Sequence, residues 1–391
     1  MRKVFVTLCP QDGISFLPEG IYTELYYAPL YEHAYAKIEN AVKALGFDYK
    51  VVRASGCGIP NTVSEIKAAL EDIVIFASPF VFLAKNADVE GAINYITKTD
   101  LGYSTVGTER SIYMTVGISK MISKSSVGTP YEFINAITDA GAMCPHAGFA
   151  DNEPSLPKGR LDFYQKAERY RRELLEYHLR AGVCLDSLDA IVISPTVSIE
   201  AGAKIHTGCH IFGKSTIFKG AEVGPNAIIK NSSVGENTRV GASRIEDSVL
   251  EKDTLVEDSC VIKEKCHLIS DSRVCSFCEI SNSLLRNGAH ISSHCHIWDA
   301  EVGARTIVGS GVITVNYEAT RKTAKCVIGD DAVIGCGSCL VLPVEVGVGS
   351  FVAAGSTITD DVPTGALAIA REYQTNRNGW ASRRKKHGKH F

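Results

Sequence analysis

The chain has 391 residues, 45% of them apolar and 22% charged, which is enough to bury a full core, allows two or three domains and excludes a disordered chain. A net charge of -3 argues against general affinity for nucleic acid. Thirteen cysteines are too few for a disulfide scaffold at this length, and they predict reduced thiols in a cytoplasmic protein.

The opening MRKVFVTLCP carries a short apolar run, closed at once by Gln11 and Asp12. It is too brief for a signal peptide or membrane span and predicts a first β-strand. Val4 to Leu8, Tyr49 to Val52 and Ile73 to Phe76 are strand-like, while Ala34, Ile38, Ala41 or Val42, and Leu45 sit at helical spacing before Gly46. This alternation predicts an α/β N-terminal domain over residues 1–159. After the polar DNEPSLPKGR comes a charged segment whose apolar positions Phe163, Ala167, Tyr170, Leu174 and Tyr177 predict a linker helix within 160–183.

From Ile193 the sequence becomes periodic. Ile193, Ile199, Ile205, Ile211, Ile217, Val223 and Ile229 recur every six residues, and the period returns at Ile328, Ile334, Leu340, Val346, Val352 and Ile358. A helix needs steps of three and four and a flat strand steps of two, so neither fits. A six-residue period predicts a parallel β-helix over 184–371, three units to a coil, with each aliphatic side chain pointing into a narrow prism. Steps of five near Val240 and between Ile297 and Val302 are expected to mark altered turns or loops. The basic RRKKHGKH in the 372–391 tail reads either as a solvated tail or as added phosphate affinity.

HISSHCHIWDAEVG, residues 290–303, holds three histidines and then an acid. An imidazole that titrates near neutrality suits a general base, whereas the same side chains on a solvated corner would do nothing chemical. Cys260, Cys278 and His296 are eighteen residues apart and are expected to stack, and Cys275 and Cys278 form a CxxC. A single CxxC among stacked small residues is ordinary ladder filling, so no metal is expected.

GSGVITVNYEATRKTAKCVIGDDAVIGCGSCLVLPVEVGVGSFVAAGSTITDDVPTGALAIAREYQTNRNGW, residues 309–380, resembles the bacterial bifunctional family that acetylates glucosamine 1-phosphate and uridylylates the product to UDP-N-acetylglucosamine. The NY pair, the IGDD turn, the VAAGST strand and the ALAIAR segment stand in family order, and RRELLEYHLRAGVCLDSLDAIVISPTVSIEAG resembles its entry from linker helix into β-helix. The resemblance covers roughly residues 165 to 380. It implies a left-handed parallel β-helix of hexapeptide repeats behind the α/β domain. It further implies a homotrimer, with acetyl-CoA as acyl donor bound between neighbouring β-helices.

Carried over by position, the cofactor site falls on Ser310, Asn316, Tyr317, Cys336, Ala354 and Arg371. The residue types suit the ligand, because pantetheine is a thin chain that needs small neighbours such as Ala353 and Gly355, and Arg371 can pair with phosphate. On the acceptor side the family's base histidine corresponds to Ser293 and its neighbouring substrate tyrosine to His296. The arginine that grips sugar phosphate corresponds to Lys263, one substrate lysine to Ser281, and another to Lys322 across a one-residue insertion. The candidates for the base are therefore His294, His296, or neither, with His290 set further back on the surface.

The N-terminal domain resembles the uridylyltransferase only faintly. VTLCPQDGISFLPEG lacks the glycine spacing and basic residue of a triphosphate loop, and Ser78 and Pro79 stand where IVIFASPFVFL would end in a metal-binding Asp. The leading reading is an acetyl-CoA-dependent acetyltransferase acting on a sugar or sugar-phosphate-like acceptor, with no nucleic-acid or membrane partner and with nucleotidyl transfer lost. The alternative is a non-catalytic relative that binds CoA or sugar phosphate for regulation or assembly. The intact bifunctional enzyme ranks lowest.

Overall fold

The computed structural model describes residues 3–8, 24–25, 28–46, 50–53, 72–83, 86–99, 103–108, 111–118, 146–149, 157, 159–316 and 325–380. They divide into two compact units, Met1–Asp247 and Ser248–Phe391.

In the first unit a six-stranded sheet runs in the order Lys50–Arg53, Lys3–Leu8, Ile73–Ala77, Ser111–Ile118, Tyr103–Thr108, His146–Phe149. The first three strands are parallel, and Ser111–Ile118 runs against its neighbours. Ile73–Ala77 is buried along its whole length, which is why it reads as a continuous apolar run rather than an alternation. Helix Leu30–Ala44 buries the stripe Ala34, Ile38, Ala41 and Val42 that its spacing predicts, and helix Asn86–Thr99 adds Val89, Ile93 and Ile96 to the same core. The charged helix Arg160–Arg180 joins that core through Phe163, Ala167 and Tyr170. Its buried Arg171 donates to Ile191 O at 2.7 Å and to Glu168 at 2.6 and 2.9 Å. A guanidinium out of water needs such partners, and here they tie the helix to the first coil that follows it.

From Cys184 the backbone forms two- and three-residue parallel strands that pair one coil on. Val192–Ile193, His210–Phe212, Ile228–Lys230 and Arg244–Glu246 build one ladder, and Ile193, Ile211, Ile229 and Ile245 are all buried inside it. In the second unit three such ladders run side by side. One holds Leu255–Val256, Arg273–Val274, His290–Ile291, Ile307–Val308, Val333–Ile334, Phe351–Val352 and Leu367–Ala368 in register. The parallel β-helix is thus the one the six-residue period predicts. Each buried aliphatic contributes roughly 1.5–3 kcal/mol of transfer free energy, and cutting one to Ala would cost roughly 2–5 kcal/mol.

The five-residue steps prove to be tight corners rather than loops. At Asn231, Asn282 and Asp299 a single residue turns the chain with φ of 46°, 46° and 49°, whereas the step from Val240 to Ile245 turns through residues 241–243 with no left-handed residue. Asn and Asp tolerate that region better than other side chains. They also bond along the corner, since Asp299 accepts from Asn282 Nδ2 and Asn316 Nδ2, both at 2.6 Å.

Candidate functional site

Most corners of the coils carry a left-handed residue, and one corner of the second unit is unlike the rest. Its left-handed positions are Ser259, Phe277, His294, Gly311, Gly337 and Gly355, with φ between 60° and 73°. Backbone bonds fix the column: Phe277 N to Asp258 O, His294 N to Ser276 O, Gly311 N to Ser293 O, Gly337 N to Ser310 O and Gly355 N to Cys336 O. Glycine takes this conformation freely, whereas a side chain pays about 1–2 kcal/mol. Phe277 and His294 pay it on successive coils.

The three glycines leave a bare strip. A Cβ on Gly337 or Gly355 would meet nothing within 4 Å, and one on Gly311 would reach only Gly337, at 3.8 Å. Ser310, Cys336 and Ala354 each precede one of these glycines and all three are exposed. The structure therefore brings Ser310, Cys336 and Ala354 together on consecutive coils, beside an open floor of small residues. Below that floor the His294 and Phe277 rings stack with centroids 5.0 Å apart and planes 3° from parallel. Both side chains are exposed. Arg371 is exposed and follows Ala370, whose carbonyl accepts from Thr357 N at 3.1 Å and whose N–H donates to Ser356 Oγ at 3.2 Å, next to Gly355.

The remaining candidates lie elsewhere. Asn316 sits beyond strand Ile313–Val315, at the corner where Asp299 holds its amide. Tyr317 and Lys322 fall outside the described residues. His296 is on the outward face of strand His296–Trp298, paired with Glu279 one coil earlier. Glu279 carries two contacts, Lys263 Nζ at 2.9 Å and His296 Nδ1 at 3.7 Å. The lysine expected to hold a phosphate is thus already faced by a carboxylate. Ser281, buried, donates to Glu264. Trp298 meets the His296 ring edge-on at 5.7 Å, and His296 Nδ1 and Trp298 Nε1 are both buried with no hydrogen-bond partner among the described residues. His290 is half-buried, with Nε2 3.5 Å from Cys275 Sγ.

The thiols show how much one residue of register matters. Glu279 pairs with both Val261 and His296, so Cys260, Cys278 and Cys295 stack and His296 does not join them. The three thiols point inward, and each reaches a carbonyl of the next coil: Cys275 O at 3.1 Å, Ser292 O at 3.1 Å and Gly309 O at 3.2 Å. Burial likewise pushes the Cys326 thiol up to about 12. Such thiols fill the core as small apolar groups. Among the described residues no cluster of three or more His, Cys, Asp or Glu is placed to hold a metal.

A different kind of histidine stands in the first unit. His206 lies between Asp186, 2.6 Å from Nδ1, and Glu222, 3.0 Å from Nε2. Hydrogen bonding to Asp186, with Glu222 adding to it, raises its pKa above the usual imidazole value. The sequence reading passed over this residue, and also over Glu279 and Phe277. The signal for Phe277 was present, because setting corner positions side by side shows an aromatic where glycine, Asn or Asp is the rule.

Comparison with known proteins gives these observations a context. A family model described as the GMPPB C-terminal domain matches residues 188–268. The chain is similar to the Bifunctional protein GlmU of Exiguobacterium sp., 40% identical over 253 residues, 64% of this chain and 56% of that one. The protein of the same name from Thermoanaerobacter pseudethanolicus is 38% identical over 225 residues, 57% of this chain and 49% of its own. The C-terminal half carries the match to GlmU, and the chain spans about half the length of the curated relatives it matches. Among solved structures, LpxA from Acinetobacter baumannii is 17% identical over 50% of this chain and 76% of its own at a TM-score of 0.38, too loose a likeness to carry weight.

Proposed function

We propose that the second unit is an acetyl-CoA-dependent acetyltransferase of the hexapeptide-repeat type, acting on a sugar or sugar-phosphate-like acceptor. The observation that carries this reading is the single corner that joins His294 to the glycine floor flanked by Ser310, Cys336 and Ala354. A pantetheine arm lies against a strip without Cβ atoms, its amides meeting backbone groups, and the thioester carbonyl ends beside an imidazole. His294 Nδ1 or Nε2 takes the proton from the attacking amine or hydroxyl as the new C–N or C–O bond forms, and the tetrahedral adduct then collapses with CoA thiolate leaving. Asn316 and Arg371 lie apart on the coil, so a neighbouring copy completes the cleft and the active form is a homotrimer. Similarity to GlmU over this half supports the reading.

His296 is the second candidate for the base, supported by its alignment with Glu279. In the other reading, a non-catalytic relative, the corner retains a CoA pocket without a working base, and Ser293 at the family's base position favours it. The N-terminal region supports loss of nucleotidyl transfer through Ser78, which is buried at the end of strand Ile73–Ala77 and accepts from Phe80 N at 3.1 Å, where a metal-binding carboxylate would be needed.

The test is thiol release from acetyl-CoA against a panel of amino sugars and their phosphates. Release that depends on one acceptor is expected. Binding of acetyl-CoA with no release on the whole panel would favour the non-catalytic reading, and failure to bind either acetyl-CoA or any sugar phosphate of the panel would sink both. Light scattering at micromolar concentration should give the mass of a trimer, and a monomer would remove the inter-chain cleft. No UTP-dependent pyrophosphate release is expected, with or without Mg²⁺.

A further inference from the structure

Besides Phe277 and His294, the left-handed residues of the second unit are Asp253, Asp271, Asn282, Asp299 and Asp331, several glycines, Ser259, the adjacent pair Glu264 and Lys265, and Arg305, whose guanidinium pairs with Asp331. Most of these have a local reason to be there, since Asn, Asp and Gly suit the conformation, Arg305 gains an ion pair and Glu264 accepts from Ser281. Phe277 has none. It is a bulky ring at φ 63°, more than half exposed, and it gives the core nothing. A strained residue that the fold does not explain points to function. Its one ring partner among the described residues is the His294 imidazole, stacked at 5.0 Å and 3°, directly under the glycine floor.

We propose that Phe277 is a positioning residue: its ring holds the His294 imidazole flat at the end of the Gly311–Gly337–Gly355 strip, so that a ring nitrogen faces the point where the thioester is attacked. The proposal rests on His294 being the base. An exposed imidazole rotates freely about χ1 and χ2, and proton transfer needs the nitrogen within hydrogen-bond reach of the attacking group. Stacking of the two rings on successive corners restricts that freedom while keeping His294 open to substrate. Phe277 touches no reacting atom in this arrangement.

The test compares F277N, F277G and F277Y in the full chain. Asn and Gly suit the left-handed corner, so both variants should keep or raise the Tm, keep the parent's mass by light scattering and keep KM for acetyl-CoA within about twofold. Turnover should nevertheless fall about 10- to 100-fold, as for a misplaced catalytic group, and F277Y, which keeps a ring, should stay near the parent. NMR of the His294 Cε1–H gives a readout that needs no acceptor. The resonance should sit upfield in the parent and in F277Y and lose that ring-current shift in F277N. Turnover within twofold of the parent in F277N, a joint fall of Tm and turnover, loss of the assembly, or an unshifted His294 resonance would each overturn the proposal. H294N separates the two claims: if it turns over like the parent, the base assignment fails, while a parent inactive on every acceptor sinks both.

Discussion

Two corners of the same coils, built on the same backbone turn, carry opposite chemistry. One runs through Asp253, Asp271, Gly288, Arg305, Asp331, Gly349 and Gly365, where an acid or glycine sits at nearly every step and the one cation, Arg305, bonds Asp331 at 2.6 and 2.7 Å. The other runs through Ser259, Phe277, His294, Gly311, Gly337 and Gly355, and its two largest side chains pair only as rings. The turn cannot be what selects Phe and His, because it is satisfied by Asp and Gly one side away. What differs is the load on the surface: the left-handed positions of the first corner carry acids, and those of the second carry none and end in three glycines, which suits the thin arm proposed to lie there.

The largest effect that would break this contrast comes from His294. H294A should lower kcat about 10²- to 10⁴-fold with acetyl-CoA affinity nearly unchanged, because the residues proposed to hold the cofactor lie on later coils. H296A should behave differently, since that side chain faces Glu279 on a flat strand rather than the corner. Steady-state kinetics and acetyl-CoA titration on both variants decide it. If H296A is the dead variant, the reacting centre moves to the Lys263–Glu279–His296 face. If neither loses more than a few-fold, the histidines are bystanders and another group takes the proton.

A smaller, two-sided effect separates glycines that hold the coils together from glycines that hold a ligand. Gly335 is wedged: a Cβ there would come within 2.4 Å of Ala354 N and 2.6 Å of Val352 O, both backbone atoms that cannot step aside. G335A should therefore cost about 1–3 kcal/mol or more by overpacking, read as a fall in Tm. Gly355 has open space and φ +72°, so G355A costs only about 1 kcal/mol in conformation. Its methyl would stand on the proposed pantetheine track and should weaken acetyl-CoA binding by about tenfold, or roughly 1.4 kcal/mol. Calorimetry with both variants would show the bare strip to be mere turn packing if G355A binds like the parent.

The β-helix was legible because its aliphatics repeat one environment. Ile193, Ile211 and Ile229 differ in neighbours but not in role, so the period survives in the sequence. The column proposed to hold the cofactor was legible in part, through small residues in order at Ser310, Cys336 and Ala354. Register was not. The Cys260-to-Cys278 coil is one residue longer than the next, so Cys295 and not His296 stacks over Cys278, and a single step moves a side chain from the outer face to the core. Glu279 was invisible for the same reason, since an outward acid on a strand gains meaning only when Lys263 and His296 are placed beside it. Phe277 is visible in the sequence only when corner positions are set side by side, because what makes it odd is a positive φ that composition does not carry.

The smallest expected effect contrasts the two histidine environments themselves. His294 has a ring for a neighbour, whereas His206 bonds Asp186 and Glu222. Its folded pKa is raised above the ordinary 6.5, chiefly by Asp186, so the stability it contributes is fully present below about pH 6.5 and is lost as pH rises through the higher folded value. Glu222 is lowered from 4.5, chiefly by His206, so its share is present above that value and lost as pH falls through the folded one. The cluster should therefore stabilise most between about pH 4.5 and 6.5. A partly exposed ion pair of this kind is worth on the order of 1 kcal/mol or less. H206Q keeps a polar side chain but cannot charge, so the fall in Tm above about pH 6.5 should flatten in that variant while turnover stays at the parent level. An unchanged slope would mean that other groups set the pH response, and a loss of turnover would mean that the first unit's coils bear on the chemistry of the second.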